Sequence, residues 1–427
     1  MLELPSGAMY YMNKFGIKLF EVIDTTVFFA TLPFFYLERV YHKKSFGWKE
    51  KFGNIEFNDS DKKVIMFHAC SVGEVAAIEN LVKSAKDKFG DCKIVVTTGT
   101  KTGQDIAHKK LGEVADYITY FPFDIPLAVN KFLDRLKPSV VVIAETEIWP
   151  YFAYGCKSRN IPLMIINGRI SDSTYNSYKI VAPFFKQVFE NFSAVYVQSE
   201  DDGRKYVSIG MRKDDTKFMG NLKFDIQPKS QNIDLGQKGY RVLLAGSTHG
   251  GENRIVLETY KKLDCKDLKL LIAPRHLERV PEIEALIKEM GMSYGLKSKG
   301  AMFTDNDIII LDTLGELGKM YSICDIAFIG GSFVKVGGHN PLEAAIYDKP
   351  TLSGPSIHNF KDIYSILTKE NASVVVKSKD ELYITLKELF SDATRYNDMV
   401  EACKSVFESQ RGATNFVLDR IDECLTK

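Results

Sequence analysis

The sequence predicts two Rossmann-like α/β domains facing each other across a cleft, preceded by an apolar N-terminal anchor helix. Three observations carry this reading. From residue 64 onward, short β-branched or aromatic runs alternate with helically spaced segments, the mark of βαβ units and parallel sheets. A polar stretch from Ile226 to Gly239 interrupts the alternation, which then restarts. Small, glycine-rich or charged motifs recur at the carboxyl ends of the predicted strands, where open α/β sheets bind ligands.

A length of 427 residues suits roughly two to three domains. With 45% hydrophobic and 26% charged residues, the chain has the composition of an ordinary globular protein. A formal net charge of +1 gives no global signal for nucleic acid, which is not expected as a partner. Seven scattered cysteines form no Cys-x-x-Cys pair. They suggest neither a disulfide framework nor a zinc site, and read as reduced thiols of a cytosolic compartment.

The first element is the anchor, expected over residues 1–45. Between Glu21 and Glu38 the only charged residue is Asp24, and Val27–Leu37 is wholly apolar or neutral. A spanning helix wants about 20 apolar residues, so this stretch, which carries Pro33, is short for a full span. A buried core helix is the plain alternative. Against it, Arg39, Lys43, Lys44, Lys49 and Lys51 come directly after, opposed only by Glu50. Such a cluster suits the headgroups of an anionic leaflet and places the domain after it in the cytoplasm. No small-residue cleavage site is present beyond the apolar run, so a removable signal peptide is not expected.

The first domain is expected over residues 46–228. Its strands are Val64–Phe67, Lys93–Thr97, Val140–Ala144, Leu163–Ile166 and Ala194–Val197, with helices such as Val75–Lys88 and Pro126–Leu136 between them. The second domain, 229–400, has strands at Val242–Ala245, Leu268–Ala273, Ile308–Leu311, Ile326–Ile329 and Ser373–Val376. From about Lys379 the chain is helical, ending in a helical tail over 401–427.

The segment Gly330 to Ala345 holds the most chemical information. Its four glycines, at 330, 331, 337 and 338, let backbone approach a ligand closely, and Gly331 and Ser332 fall where a phosphate would sit. Asn340 suits an N-cap and Pro341 a first helical position, so the helix they open would direct its positive end at an anion. Asn340 and Glu343 add groups able to hold a sugar or ribose hydroxyl. A tight strand-to-helix turn is the plain alternative. Ser247 and Thr248 after one strand, Pro274 and Arg275 after the next, and Thr313 to Glu316 after a third would complete a phosphate and ribose cradle.

In the first domain, Ser71-Val-Gly-Glu74 comes after the first strand and opens a helix. A helix N-terminus favours the ionised carboxylate, which suits Glu74 as a general base; simple dipole complementation is the alternative. Glu145 and Glu147 flank Thr146 beyond the strand Val140–Ile143. One of them is expected to reach the cleft, with the other solvated or paired with Arg169 or a lysine. Arg169 and Lys223 lie after further strands and would neutralise an anion, or else stand as ordinary surface cations. Thr98-Gly-Thr-Lys-Thr-Gly103 lacks P-loop spacing. Asp305-Asn-Asp307 precedes a strand and reads as a polar turn, and no histidine spacing suggests a metal.

In ordered motifs along nearly the whole chain, the sequence resembles the 3-deoxy-D-manno-octulosonic acid (Kdo) transferases of lipopolysaccharide biosynthesis. They are Gly47-Trp48-Lys-Glu-Lys-Phe-Gly53, Ser71-Val-Gly-Glu74, Tyr120-Phe-Pro-Phe-Asp124-Ile-Pro126, Glu145-Thr-Glu-Ile-Trp-Pro150, Gly220-Asn-Leu-Lys-Phe-Asp225 and Gly246-Ser-Thr-His249. Pro274-Arg-His276, Gly315-Glu316, Gly337-Gly-His-Asn-Pro-Leu-Glu343 and Gly354-Pro355 complete the set. The resemblance implies a glycosyltransferase-B fold and a metal-independent, inverting enzyme on the cytoplasmic face of the inner membrane. It implies CMP-Kdo as donor and a lipid A precursor, lipid IVA, as acceptor, with no further cofactor. It makes Glu74 the base for the glucosamine hydroxyl and Glu145 and Lys223 its helpers. It assigns CMP to Pro274, Arg275, Leu314, Gly315, Glu316 and the run Asn340, Pro341, Leu342, Glu343. The chain departs from the family pattern at Cys70, Gly168 and Ala344, none of which removes a polar group from these sets. A UDP-sugar enzyme, or a tethered binding protein without turnover, remain the alternatives.

Overall fold

The computed structural model describes residues 47–57, 61–228 and 232–426. The anchor expected over residues 1–45 lies outside them. Among the described residues no helix is long and apolar enough to cross a membrane. The chain divides into two compact units, one of residues 1–225 with 410–427, the other of residues 226–409.

Each unit is built on a seven-stranded, wholly parallel sheet. The first runs β3-β2-β1-β4-β5-β6-β7, with β1 at Val64–His68, β2 at Lys93–Thr98, β3 at Tyr117–Tyr120, β4 at Val140–Ala144, β5 at Leu163–Gly168, β6 at Ala194–Val197 and β7 at Thr216–Phe218. The second runs β10-β11-β9-β8-β12-β13-β14, with β8 at Arg241–Thr248, β9 at Leu268–Pro274, β10 at Tyr294–Leu296, β11 at Ile308–Ile310, β12 at Ile326–Ile329, β13 at Thr351–Ser353 and β14 at Ser373–Val375. Strand order reverses at β1/β4 in one unit and at β8/β12 in the other. In doubly wound sheets, ligands bind at such switch points, beyond the carboxyl ends of the strands.

The central strands are apolar from end to end because helices cover both faces. β1, β4 and β6 are buried at every residue. The apolar faces of the first sheet feed two cores. One contains Phe132, Phe152 and Phe189, the other Ile78, Leu81, Val82 and Ile166. The second unit repeats the plan around Leu257, Ile272, Ile283 and Phe328 on one face and Leu244, Leu271 and Ile309 on the other.

The C-terminal region is divided where the sequence suggests a single tail. Helix Ala393–Gln410 belongs almost wholly to the second unit, burying Met399 in its core. The last helix, Ala413–Leu425, joins the first unit, where Ala413, Val417, Leu418, Ile421 and Leu425 pack into the core that contains helix Val72–Lys88. Asp225 fixes this return: its two carboxylate oxygens accept the backbone N–H groups of Gly412, at 2.8 Å, and of Thr414. Part of the Gly220–Asp225 motif is thus a helix cap.

Candidate functional site

At the β1/β4 switch point, Ser71 caps helix Val72–Lys88 and Glu74 reaches back to it. The Ser71 hydroxyl donates to Glu74 Oε1 at 2.7 Å, and the Cys70 backbone N–H donates to Glu74 Oε2 at 2.7 Å. This is a capping box, which fixes the carboxylate in one orientation. Gly99 and Gly103 allow the neighbouring loop to close on it, since a Cβ at Gly99 would lie 2.4 Å from the Cys70 sulfur. The Thr98–Gly103 segment is therefore a packing loop, with Thr100 capping helix Lys101–Leu111.

The ionisation of Glu74 differs from the simple dipole argument. Burial, reinforced by the nearby Glu145 and Glu147 carboxylates, pushes its carboxyl up to about 7. The hydrogen bonds from Ser71 and Cys70 pull the other way and do not prevail. The group stands near half-ionisation at neutral pH, which is where a general base transfers protons most effectively.

The expectation that only one of Glu145 and Glu147 faces this region does not hold. Strand β4 ends at Ala144, and Glu145 takes a left-handed conformation with φ 59°. Residues two apart on a strand point the same way in any case, so alternation gives no ground for separating the two carboxylates, and both act on Glu74. A non-glycine residue at positive φ costs roughly 1–2 kcal/mol, which surrounding contacts must offset. Glu145 is held by its backbone N–H to Ile166 O at 2.9 Å and by cations on either side. Arg169 Nε lies 3.5 Å and Lys223 Nζ 3.8 Å from its carboxylate. Glu147, pushed upward by burial and then by Glu145, completes the cluster.

Lys223 is placed by a buried polar network that extends beyond the Gly220–Asp225 motif to Asn167 and Gln198. Asn167, also at positive φ, accepts the Leu222 N–H at 3.1 Å, and its carbonyl accepts from Gln198 Nε2 at 2.8 Å. Gln198 in turn accepts from Asn221 Nδ2 at 2.9 Å, and Asn221 Oδ1 caps the turn Leu222–Phe224 through the Lys223 N–H at 3.0 Å. Asn167, Asn221 and Gln198 are all buried. The network holds one backbone geometry, although the buried Asn167 Nδ2 has no partner among the described residues.

The β8/β12 switch point of the second unit is basic. A bulge at Ser247, with φ 53°, interrupts the β8 register beside β9 and leads into Thr248, whose buried hydroxyl has no partner among the described residues. His249 Nε2 lies 2.9 Å from His339 Nε2, the rings meeting end to end with centroids 5.2 Å apart and planes 11° apart, and His276 meets His249 edge-on at 5.6 Å. Arg275 comes after Pro274 at the end of β9 and is exposed. Among the described residues its guanidinium has no hydrogen-bond or ion-pair partner. Burial first, then His249, Arg275 and His276, push His339 down to about 4.

The glycine-rich segment is arranged differently from its sequence expectation. Gly331, Ser332 and Phe333 direct their backbone N–H groups to the fully buried Glu252 carboxylate, at 2.7, 2.9 and 2.8 Å, and His249 N–H joins them at 2.9 Å. Ser332 is itself buried, bridging Ile329 O and Gly354 N. Amides expected to face a phosphate are therefore taken up by a protein carboxylate. Asn340 does cap, accepting the Leu342 N–H at 3.1 Å, but Pro341 is the N-cap residue and the helix is one turn, Leu342–Ala345. Its dipole is correspondingly small. Glu343 is exposed and Leu342 buried beside it.

On the third strand end, Leu314 is 80% exposed and Gly315 is at φ 80°. Glu316 is held by Lys297 at 2.7 and 2.8 Å and by the Thr313 hydroxyl. Asp307, in the turn before β11, accepts from Lys269 at 3.0 Å and Ser293 at 2.6 Å, as a structural turn would. Among the described residues no group of three His, Cys, Asp or Glu side chains is placed to hold a metal ion. The sequence motifs contain His249 and His339 but do not announce their pairing, and Glu252 lies in none of them. Glu252 looks like an ordinary first-turn helix acid, and His249 and His339 are far apart in the chain.

Two parallel, doubly wound units, each with polar side chains gathered at its switch point, are the architecture of the glycosyltransferase-B type of fold. The fold agrees with that of the UDP-GlcNAc 2-epimerase of Neisseria meningitidis solved with UDP-GlcNAc, at TM-score 0.50 and 14% identity over 81% of this chain and 99% of that one. Residues 46–226 match the family of 3-deoxy-D-manno-octulosonic-acid transferases (kdotransferases). The Haemophilus influenzae 3-deoxy-D-manno-octulosonic acid transferase is 31% identical over 85% of this chain and 87% of its own length. A bifunctional glycosyltransferase/methyltransferase of Fusobacterium nucleatum is 34% identical over 83% of this chain, which spans 57% of that longer protein. The chain belongs to the Kdo transferase family, glycosyltransferases of lipopolysaccharide biosynthesis.

Proposed function

We propose that the protein transfers Kdo from CMP-Kdo to a glucosamine hydroxyl of a lipid A precursor, lipid IVA, with inversion at the anomeric carbon and Glu74 as general base. The observation that carries the mechanism is the Glu74 carboxyl, held by a capping box and raised to about 7 among two further carboxylates. A carboxylate so tuned takes the hydroxyl proton as the oxygen attacks the anomeric carbon. The bond to the CMP phosphate breaks with its electron pair leaving on phosphate oxygen. The sugar centre becomes oxocarbenium-like while carrying its own carboxylate, so nearby cations stabilise the assembly. Lys223 and Arg169 supply positive charge beside Glu145. No step is routed through a metal.

CMP is assigned to the second unit, where Arg275 at the end of β9 has no side-chain hydrogen-bond or ion-pair partner among the described residues. The Leu314–Glu316 and Asn340–Glu343 turns, assigned to it as well, lie beyond other strands of the same sheet. On this reading the enzyme works at the cytoplasmic face of the inner membrane, where the acceptor lipid lies, with residues 1–45 as its anchor.

The decisive assay supplies CMP-Kdo, generated in situ, and a tetraacylated lipid A precursor in detergent, with products read by mass spectrometry. Added Kdo mass with the wild type, absent with Glu74→Ala, is the expected result. Folded wild type that leaves the lipid unmodified would refute the reading and direct attention to other nucleotide sugars.

A further inference from the structure

The histidine cluster at the end of β8 is not needed to explain the fold, and its geometry is specific. Two Nε2 atoms 2.9 Å apart cannot both carry hydrogen, so one of His249 and His339 donates and the other accepts. One hydrogen lies between the two Nε2 atoms, and burial together with the neighbouring cations favours the neutral form of both rings, leaving the donor's Nδ1 able to take up a further proton. The groups facing it are His276 and Arg275 from the β9 end, Arg279 from the turn beyond, and Glu252 beneath. Arg279 is engaged by Glu282 at 2.6 Å. The Glu252 carboxylate is already saturated by four backbone N–H groups. Glu252 still favours a proton on His249, while burial, His276, Arg275 and Arg279 oppose it, and Arg275 lacks a counter-charge among the described residues.

We propose that His249 and His339 form a proton-accepting pair that becomes cationic when a phosphate group docks against it and Arg275, so that phosphate binding is coupled to uptake of one proton. The ligand class is a phosphate ester; the inference rests on the donor reading above, in which that ester is CMP. Two negative charges brought to this surface oppose the burial and the positive charge of Arg275 that together keep the pair neutral. The consequence for turnover is a matter of charge. In the sugar nucleotide the phosphodiester carries one negative charge, and on cleavage the departing monoester gains a second. A pair able to hold an extra proton stabilises the departing group more than the bound donor, which favours the forward step.

Isothermal titration calorimetry of the full chain with CMP at pH 7, in buffers of different ionisation enthalpy, counts the protons exchanged. The wild type should take up on the order of one proton more per CMP than His339→Gln, and the variant comparison cancels any proton exchanged by the phosphate itself. Cytidine, lacking phosphate, should give the same exchange in both proteins. If His339→Gln does not fold, as judged by circular dichroism, His249→Gln makes the same comparison. Equal uptake by wild type and variant, with CMP bound, overturns the proton coupling and leaves the donor reading standing. Proton-coupled binding of UMP or inorganic phosphate without CMP binding keeps the coupling and refutes CMP. Failure of every phosphate probe to bind overturns the proposal.

Discussion

The Glu252 carboxylate accepts the Gly331 backbone N–H at 2.7 Å, joining the first helix of the second unit to the loop after its central strand. With Ser332, Phe333 and His249 it has four such partners and no exposure. Glycine at 331, with φ 70°, is required by this geometry. Glu252→Gln replaces one acceptor oxygen with a donor and leaves two N–H groups facing it. The expected cost is about 3 kcal/mol, or about 6–12 °C in the melting transition of the second unit. Scanning calorimetry checks this. An unchanged transition would mean the loop is held by something other than Glu252.

Glu74 makes a prediction whose sign is opposite for activity and stability. A base raised to about 7 is half-protonated there, so kcat/KM should fall about tenfold per pH unit below 7 and level off above it. For stability, the folded carboxyl binds its proton more tightly than the unfolded one. The folded protein therefore loses stability as pH rises from about 4.5 to about 7. Glu74→Gln keeps the shape without the charge. It should abolish transfer and raise the melting temperature at pH 8 by about 2–4 °C, with little change at pH 4. A variant less stable at pH 8 than the wild type would contradict the burial argument.

Glu145 and Lys223 should move the acid limb in opposite directions. Glu145→Gln removes a like charge from the neighbourhood of Glu74, so the limb shifts to lower pH. Lys223→Ala removes a cation beside Glu145 and shifts it to higher pH, with kcat reduced about 10²-fold. Lys223→Arg keeps the charge and should retain the wild-type limb. pH–rate profiles of the three variants decide. A common shift in all three would point to a general structural loosening.

Much of the fold is legible because its central strands are buried on both faces and read as plain apolar runs. Lys93–Thr98, Val140–Ala144 and Ala194–Val197 stand where such runs predict, and helix Pro126–Leu136 begins and ends as its spacing indicates. The elements not anticipated are β3, β7, β10 and β13. β7 is exposed at Lys217 and Phe218 and β10 is half-buried along its length, so neither presents a hydropathy signal. β13 is fully buried, yet two of its three residues are Thr351 and Ser353. The carboxylates of the first site are legible from their position after strands. The left-handed turn at Glu145 and the Asn167–Gln198–Asn221 network are not, because both depend on contacts made only after β5 and β6 pair. The acidic residue that occupies the glycine-rich loop is hidden for the same reason: three of its four partners lie about 80 residues downstream.

The return of the chain to the first unit gives the last prediction. Helix Ala413–Leu425 starts at Gly412, φ 92°, with no side-chain cap of its own, and Asp225 supplies the missing acceptor from across the fold. Asp225 Oδ1 and Oδ2 satisfy two of the free N–H groups at its start, and the negative charge sits at the positive end of the helix. Asp225→Ala removes both effects and should cost about 1–2 kcal/mol. The loss should be local, since Val417 and Ile421 are fully buried against the core and keep the helix docked. Hydrogen exchange read by mass spectrometry should show faster exchange across 413–425 with Glu74 and its capping box unaffected, and Asp225→Asn should lie between the two. Ile421→Asp attacks the packing instead and should release the whole helix, costing about 3–5 kcal/mol. If Asp225→Ala exchanges like the wild type, the helix is held by its apolar face alone, and the carboxylate at the end of the Gly220–Asp225 motif then needs another explanation.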